Sequence, residues 1–255
     1  MMIANILSCE RLDLYLNINY VLNENELAKL RDYVKRRAKR EPLQYILGEV
    51  NFFGHKLKID SRALIPRPET ELLVNLIIEN VKETDKVLNV LEVGTGSGCI
   101  AISLAKKFPQ FRFTAIDISQ DAVSLAIENA SLHEIRNINF LVADFFRYEP
   151  KEKFNIIVSN PPYVIETDLD KLQEELKYEP RIALTAGEDS IAFYKRFVKF
   201  IDYLEDNGKM YLEINEKNSQ EVTKLFNKLS IVKLKKDYFN LDRILLYEKS
   251  QKYNE

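Results

Sequence analysis

The spacing of apolar residues predicts that the chain begins with helices. Within "NENELAKLRDYVKRRAKR", two leucines and a valine fall at positions i, i+3 and i+7, which is the stripe of a helix with one apolar face. A denser apolar pattern precedes this segment, and no glycine occurs before Gly48. We therefore predict a small helical region over residues 3–40, with Asn23 or Asn25 as an N-cap.

The pattern then changes to a period of two in "EVNFFGHKLKID", where apolar residues alternate with lysines after a central glycine. This alternation predicts a β-hairpin. In the following "RALIPRPETELLV", Pro66 and Pro68 disfavour a helix, and Thr70 is predicted to cap a helix that begins near Glu71. This proline-rich segment is the predicted hinge between two domains.

From Val87 onward, short apolar runs alternate with helical patterns. The predicted strands are "KVLNVLEVG", "FRFTAID", "NINFLVAD", "KFNIIVSN" and "GKMYLEI", and two further strands are predicted near 230–235 and 243–248. Helices are predicted between them, the later ones near 190–205 and from about residue 217. Strands that alternate with helices indicate an α/β fold with a parallel, doubly wound sheet, which binds ligands at the carboxyl ends of its strands.

Composition adds few constraints. A net charge of −2 over 255 residues gives no global positive field for nucleic acid, although a local basic patch remains compatible with it. The two cysteines, Cys9 and Cys99, can in principle pair, but so few favour a reducing compartment and small buried side chains. His55 and His133 have no metal-ligand spacing, so no metal is expected. No apolar run reaches the roughly 18 residues of a membrane span, and the N-terminus lacks the features of a signal peptide, so we expect a cytoplasmic protein.

A glycine turn follows the first predicted strand of the sheet. In "EVGTGSGC", Gly94, Gly96 and Gly98 stand between a strand and a helix, and Asp117 ends the next strand, where its carboxylate can accept both ribose hydroxyls. The dinucleotide fingerprint needs a glycine where a cysteine stands, and the lysine of a phosphate-binding loop is absent. Glu92 beside the turn is unfavourable for a pyrophosphate and favourable for a cation. The pattern favours S-adenosylmethionine, although a tight loop without a ligand remains an alternative.

The third strand ends in "VADFF", which adds two candidates for the adenine. Asp144 can accept a hydrogen bond from the exocyclic amine, and Phe145 can cover the ring. On sequence alone, a helix-capping aspartate and a core phenylalanine are equally compatible with these residues.

The fourth strand ends in "SNPPY", which carries the most specific chemistry. The side-chain oxygen of Asn160 and the carbonyl of Pro161 are two acceptors that match a planar NH₂ group, and Tyr163 can stack on that group. An amide nitrogen is a poor nucleophile because its lone pair is delocalised. Hydrogen bonds that strengthen as positive charge develops on this nitrogen stabilise the transition state selectively. Together with the glycine turn, this corner predicts N-methylation of a planar nitrogen. The alternative is a purely structural role as a rigid strand-to-loop turn.

At these residues the sequence resembles a known family, the bacterial-type peptide chain release factor N5-glutamine methyltransferases. The resemblance covers nearly the whole chain and is carried, in order, by "EPLQYILGEVNFFGHKLKID", "LIPRPETELLV", "EVGTGSGCIAISLA", "AIDIS", "NIIVSNPPYV" and "LKYEPRIAL". The tetrad "NPPY" alone is less specific, because amino-type DNA methyltransferases carry a similar one.

The resemblance implies a class I S-adenosylmethionine-dependent methyltransferase fold, Rossmann-like with an antiparallel last strand, plus a small N-terminal helical domain. It implies domains at 1–65, for release factor recognition, and at 66–255, for catalysis. The implied substrate is the glutamine of the Gly-Gly-Gln loop of class I release factors, met by a monomeric enzyme that binds no DNA directly. The implied cofactor residues are Gly94, Thr95, Gly96, Ser97, Gly98, Asp117, Phe145 and Asn160, and the implied catalytic and glutamine-binding residues are Asn160, Pro161, Pro162 and Tyr163.

Several alternatives stay open from the sequence. An adenine-N6 or cytosine-N4 DNA methyltransferase would present a similar amine after base flipping, and a module that binds the nucleoside without chemistry is a third class. The basic run 35–40 is either a solvated helix end or a contact for a release factor or RNA. The acidic segment 166–179 is either a lid beside the glutamine channel or a solvent-facing helix. Arg67 and Glu69 are candidates to reach the cofactor or to brace the two domains.

Overall fold

A seven-stranded sheet forms the centre of the molecule in a computed structural model that describes residues 1–81, 86–227 and 231–250. Residue 230, where a strand was predicted to begin, and the predicted domain end at 255 lie outside the described residues. The strands, numbered along the chain, are β1 Glu49–Phe52, β2 His55–Lys58, β3 Asn89–Val93, β4 Arg112–Asp117, β5 Ile138–Val142, β6 Phe154–Ser159, β7 Val164–Ile165, β8 Thr185–Gly187, β9 Leu204–Glu213, β10 Ile231–Lys236 and β11 Asp242–Glu248.

The α-helices flank this sheet or precede it. They are α1 Met2–Ile6, α2 Asp13–Leu16, α3 Glu24–Ala38, α4 Leu43–Leu47, α5 Pro68–Asn80, α6 Cys99–Lys107, α7 Gln120–Leu132, α8 Arg181–Leu184, α9 Ala192–Phe200 and α10 Ser219–Phe226. The helical start, the hairpin β1–β2 and the strand and helix alternation after Val87 are confirmed. The short helix α4 is an addition that the apolar pattern did not predict.

The sheet has the order β10-β11-β9-β6-β3-β4-β5. The strands β9, β6, β3, β4 and β5 are parallel, whereas β11 runs antiparallel to both β9 and β10. The predicted doubly wound sheet with an antiparallel last strand is therefore confirmed. Because the central strands are parallel, their carboxyl ends meet at one edge of the sheet.

Each face of the sheet is covered by helices. On one face, α5 and α6 bury a cluster that includes Leu73, Val74 and Ile102. On the other face, Phe197 of α9 and Phe226 of α10 belong to a second cluster, in which aromatic rings pack with aliphatic side chains. The parallel strands are apolar on both faces for this reason, which explains why they appear in the sequence as continuous apolar runs.

The hairpin β1–β2 packs against the helices that cover one face of the central sheet. Phe52 and Leu57 are each 1% exposed and belong to the same cluster as α5 and α6. The side chain of Asn129 in α7 makes two hydrogen bonds with the backbone of Lys58. Its Oδ1 accepts from the amide of Lys58 at 2.7 Å, and its Nδ2 donates to the carbonyl of Lys58 at 3.0 Å. The hairpin is thus anchored to α7, and the boundary at residue 65 between two domains stays a prediction.

Of the two helix N-caps predicted from the sequence, one is confirmed and one is wrong. Asn23 caps α3 in a capping box with Glu26, as one of the two predicted asparagines. The prediction for α5 is wrong, because that helix begins at Pro68 with Arg67 as its N-cap. A proline at the first helical position lacks only an N–H that the helix does not use there. The hydroxyl of Thr70 is therefore not a cap, and it makes other hydrogen bonds that are described below.

Candidate active site

The glycine turn joins β3 to α6 and is bonded to the end of β4. The amides of Gly94 and Thr95 donate to the carbonyl of Ile116 at 2.8 and 3.0 Å. The amide of Gly98 donates to the carbonyl of Thr95 at 2.8 Å. Gly94, Gly96 and Gly98 all have positive φ, at 73°, 55° and 80°. The loop therefore has a left-handed backbone conformation at these positions, which residues with a Cβ adopt only with strain.

Asp117 lies at the end of β4 and faces this turn. One of its carboxylate oxygens accepts from the amide of Gly96 and the other from the amide of Ser119, each at 2.9 Å. Burial raises the pKa of Asp117, while the three backbone amides that donate to it oppose the shift. The two oxygens together offer about four acceptor sites, so the carboxylate can still accept from a ligand hydroxyl in addition to these three amides.

Glu92 lies beneath the turn and is 1% exposed. The hydroxyl of Thr95 donates to its Oε2 at 2.6 Å. Burial raises the pKa of Glu92 to about 8, although this hydrogen bond favours the ionised form. Thr95 is therefore engaged beneath the loop, where it holds the buried carboxyl.

A cavity of about 330 Å³ opens over the carboxyl ends of β3, β4 and β6. Gly94, Gly96, Asp117, Phe145 and Asn160 line it, and they are five of the eight predicted cofactor residues. Of the other three, Thr95 and Ser97 are each 2% exposed, and Gly98 packs against α6 and α7. The cavity also has walls that the sequence did not predict, formed by Arg62, Ala63, Leu64, Ile118, Phe146, Pro180, Ile182 and Ala183.

Two adjacent phenylalanines stand at the predicted adenine end. Phe145 is 5% exposed. The centroid of its ring lies 4.5 Å from the ring centroid of Phe197 and 4.7 Å from that of Phe200. Phe146 is 46% exposed and lines the same cavity, as does Asp144. The assignment of the adenine to Phe145 stays a prediction, and Phe146 is a second candidate that the sequence reasoning missed.

The asparagine corner follows β6 on the other side of the same cavity. Asn160 and Pro162 line the cavity, Pro161 is buried, and Tyr163 is half-buried. Burial raises the pKa of Tyr163, so its phenol stays neutral at ordinary pH. The four residues predicted to be catalytic thus lie beside the residues predicted to bind the cofactor.

A chain of hydrogen bonds runs from this corner into the protein. Nδ2 of Asn160 donates to Oγ1 of Thr70 at 3.1 Å, and this hydroxyl donates to Oε2 of Glu213 at 2.8 Å. Glu213 ends β9 and is 2% exposed, and its backbone carbonyl accepts from Tyr194 at 2.9 Å. Burial raises the pKa of Glu213 to about 7, and the hydrogen bond from Thr70 opposes that shift.

The segment after the corner is tied to the proline-rich linker. Oε1 of Glu179 accepts from Arg67 at 2.6 Å, and Oε2 accepts from the amide of Ile65 at 3.1 Å. The side chain of Glu179 is only 2% exposed, and the next residue, Pro180, lines the cavity. Of the two roles weighed for Arg67, this geometry is that of a brace.

The basic run 35–40 forms the largely exposed end of α3, as the first sequence alternative has it, and two of its arginines also bind an acid within the chain. Arg37 and Arg40 both bind the carboxylate of Glu175, at 3.0 and 2.9 Å. The hydroxyl of Tyr178 donates to the carbonyl of Lys39 at 2.7 Å. The end of α3 therefore holds the acidic segment 166–179 against the N-terminal helices.

Ion pairs within the chain engage most of the acidic side chains in that segment. Besides Glu175 and Glu179, Glu166 binds Arg181, Asp168 binds Lys171, and Glu174 binds Lys177. The short 3-10 turns Glu166–Lys171 and Glu174–Tyr178 replace the solvent-facing helix of the second alternative. A contact between this segment and a protein substrate stays a proposal.

Other features of the sequence have plain structural outcomes. Cys99 is buried and Cys9 is half-buried, and both are free thiols. Within residues 1–81, 86–227 and 231–250, no cluster of histidine, cysteine and carboxylate side chains has the geometry of a metal site. None of the helices in that same part of the chain combines the length and the apolar character that crossing a bilayer requires.

The cavity fits the S-adenosylmethionine that the sequence led us to expect. Asp117 and Asp144 line it, and their negative charge disfavours a phosphate-bearing ligand and favours a hydroxylated cation. Arg62, the cation in the wall, is paired with Asp60 and Glu128. The apolar side chains of the wall, exposed to the cavity, suit the faces of a purine ring.

Comparisons with known proteins agree with this geometry. Residues 68–241 match the Methyltransferase small domain family, and residues 1–48 match the PrmC N-terminal domain family. The release factor glutamine methyltransferase of Thermodesulfovibrio yellowstonii is 37% identical over 98% of this chain and 91% of its own length. That of Streptococcus pneumoniae is 44% identical over 91% of this chain and 83% of its own length.

A solved structure supports the fold. A methyltransferase from Pyrococcus furiosus superposes with a TM-score of 0.56 and 17% identity, covering 90% of this chain and all of the other. At that identity the likeness establishes the class I methyltransferase fold and nothing about the substrate.

Proposed function

This chain belongs to the release factor glutamine methyltransferases, which are S-adenosylmethionine-dependent enzymes, and we propose that the cavity beside Asn160 is its active site. The reaction transfers a methyl group to the side-chain amide nitrogen, N5, of a release factor glutamine. The observation that supports this site best is that the asparagine corner and the glycine turn line one cavity.

When bound, S-adenosylmethionine supplies an electrophilic methyl group on a sulfonium. Gly94, Gly96 and Asp117 would hold its nucleoside part, because the turn allows close approach and the carboxylate can accept from hydroxyls. Asp144 and either Phe145 or Phe146 would hold the adenine.

Asn160 and Pro161 would hold the glutamine amide. Oδ1 of Asn160 and the carbonyl of Pro161 accept one hydrogen bond each from its NH₂ group, and these bonds strengthen as the nitrogen becomes positive. Pro162 and the neutral ring of Tyr163 would form the walls that orient the flat amide. No general base is needed before transfer, because the departing sulfur leaves as a neutral thioether and the amide becomes an N-methylated cation, which is acidic and loses its proton to water.

The finer identity of the substrate is part of the proposal. We assign it to the glutamine of the Gly-Gly-Gln loop of class I release factors, met by a monomeric enzyme that does not act on DNA. Since release factors work on ribosomes, we place the enzyme in the cytoplasm. The region 1–65 would bind the release factor, and the region from 66 onward would carry the chemistry.

Mass spectrometry tests the proposal directly. The purified chain is incubated with S-adenosylmethionine and a release factor, and the Gly-Gly-Gln peptide is expected to gain the mass of one methyl group on its glutamine. A release factor with alanine in place of that glutamine is the matched control and should gain nothing. Methyl transfer to a DNA duplex, or none to the release factor, would overturn the assignment.

A further inference from the structure

Thr70 and Glu213 form a buried polar pair that the proposed chemistry leaves without a role. Each is 2% exposed, and they come from the first turn of α5 and the end of β9. They are 143 residues apart in sequence, and Thr70 is 90 residues from Asn160. Burying a carboxyl and a hydroxyl beside an active site is unfavourable unless their hydrogen bonds are satisfied.

The direction of these hydrogen bonds is determined by the chemistry of the hydroxyl. A threonine hydroxyl has one proton and two lone pairs. An ionised carboxylate can only accept, so Thr70 must donate its proton to Glu213, as the 2.8 Å contact to Oε2 indicates. Thr70 can then offer only a lone pair to Asn160, which must approach with its NH₂ group.

The consequence concerns the other branch of the carboxamide. The oxygen and nitrogen of an asparagine side chain are nearly equal in size, so packing alone does not select between the two orientations. Because Nδ2 of Asn160 is hydrogen-bonded to Thr70, Oδ1 is the atom of the carboxamide that remains for a ligand in the cavity. In the opposite orientation, an NH₂ group would face the NH₂ group of the acceptor amide, and neither could accept.

We propose that Thr70 and Glu213 are positioning residues that orient the carboxamide of Asn160, so that its oxygen faces the acceptor amide. This inference rests on the proposed function, in which that oxygen binds the glutamine. Both side chains are buried behind Asn160 and do not line the cavity. Glu213 acts by accepting the hydroxyl proton of Thr70 in a hydrogen bond. Thr70 in turn accepts a hydrogen bond from the NH₂ group of Asn160.

The first test compares two replacements of Thr70 at about pH 8, where Glu213 is largely ionised. Thr70→Val keeps the shape and removes the hydroxyl, so kcat should fall by about 30-fold or more while the cofactor Kd stays within about three-fold. Thr70→Ser restores a hydroxyl and should recover most of kcat. Thr223→Val is the matched control, because it removes a threonine hydroxyl that donates to the carbonyl of Ser219 within α10.

The second test acts on Glu213 and remains informative if Thr70→Val fails to fold. Glu213→Gln still offers an oxygen to the hydroxyl and should retain activity within about five-fold. Glu213→Leu frees the proton of Thr70 to turn towards Oδ1 of Asn160, so kcat should fall by about 10-fold or more. Equal losses in the two variants would refute the role of Glu213 as an acceptor, and so would full activity in both.

The third measurement needs no methyl transfer, so it separates this inference from the proposed function. The side-chain NH₂ signals of Asn160 are located in ¹⁵N-labelled protein by their disappearance in Asn160→Ala. One of the two protons should exchange slowly in wild type and in Thr70→Ser, and rapidly in Thr70→Val. Fast exchange in wild type would overturn the proposal even in an active enzyme, whereas protected protons in an enzyme that methylates nothing would overturn only the proposed function.

Discussion

The proposed cofactor half and the proposed acceptor half of the cavity are assembled by different kinds of contact. In the cofactor half, the glycine turn and Asp117 are joined by backbone amides within one strand-turn-helix-strand unit, 21 residues apart at the bond from Gly96. In the acceptor half, Asn160 donates to Thr70, which donates to Glu213, and both partners lie far from Asn160 in the sequence. The first half is therefore encoded locally, and the second exists only when distant elements pack.

This difference predicts that the two halves fail in different ways. Damage to the local half should alter cofactor affinity or the stability of the loop. Damage to the acceptor half should alter the rate of transfer while cofactor affinity persists.

The largest effect is expected for Asn160→Ala. Removal of an acceptor that strengthens in the transition state should lower kcat by about 100-fold to 1000-fold. The cofactor Kd, measured by calorimetry, should stay within about three-fold of wild type.

Asp117→Ala is the counterpart in the other half. It removes the acceptor of Gly96 and Ser119 and the predicted partner of the ribose, so the cofactor Kd should rise by about 10-fold or more. If both substitutions weakened the cofactor equally, the two halves would not be separable.

Gly98→Ala should give the next largest effect, on stability. The backbone has φ of 80°, and an added Cβ would lie 3.0 Å from Cδ1 of Ile102 and 3.2 Å from Cβ of Ala126. Backbone strain and overpacking together should lower the free energy of unfolding by about 3 kcal/mol in chemical denaturation.

Gly94→Ala is the matched control for this substitution. Its φ is 73°, but nothing lies within 4 Å of the added Cβ, so strain alone should cost about 1 kcal/mol. Equal losses at the two positions would show that the contacts with α6 and α7 contribute nothing.

Glu92 should make stability depend on pH. Burial raises its pKa from an ordinary 4.5 to about 8, so the folded protein binds this proton more tightly than the unfolded chain. The resulting stabilisation is complete below about pH 4.5 and is lost as the pH rises towards 8.

Glu92→Gln keeps an acceptor for Thr95 and cannot ionise. Between about pH 5 and 8, wild type should lose about 3–4 kcal/mol more unfolding free energy than this variant. Because Glu213 titrates in both proteins, the difference between them isolates Glu92. Parallel pH profiles would contradict an ionisable, buried Glu92.

The smallest effect is expected where the acidic segment meets α3. Glu175→Gln weakens the ion pairs with Arg37 and Arg40, but these side chains are 39% and 56% exposed, so the loss should be below about 1 kcal/mol. Asp170→Asn, at an exposed position in the same segment, controls for the change in net charge. A large loss specific to Glu175 would show that the segment depends on the N-terminal helices for its fold.

Some details were within reach of the sequence because they depend on neighbours along the chain. Asn23 and Glu26 form the capping box from a spacing of three residues, and the strands were found because burial on both faces requires continuous apolar runs. The cap at Thr70 was wrong because a hydroxyl near a helix start suits either a cap or a tertiary hydrogen bond, and only packing decides between them.

The sequence by itself determined the class of fold, the glycine turn with its aspartate, and the asparagine corner, because each is a short motif whose geometry follows from local backbone preferences. The tertiary structure alone decided which way the carboxamide of Asn160 faces and how Glu179 joins the linker to the cavity wall. It also decided that Arg37 and Arg40 bind an acid 135 residues or more away. These contacts join side chains whose separation in sequence carries no periodic signal, so they become visible only when the sheet brings its strand ends together.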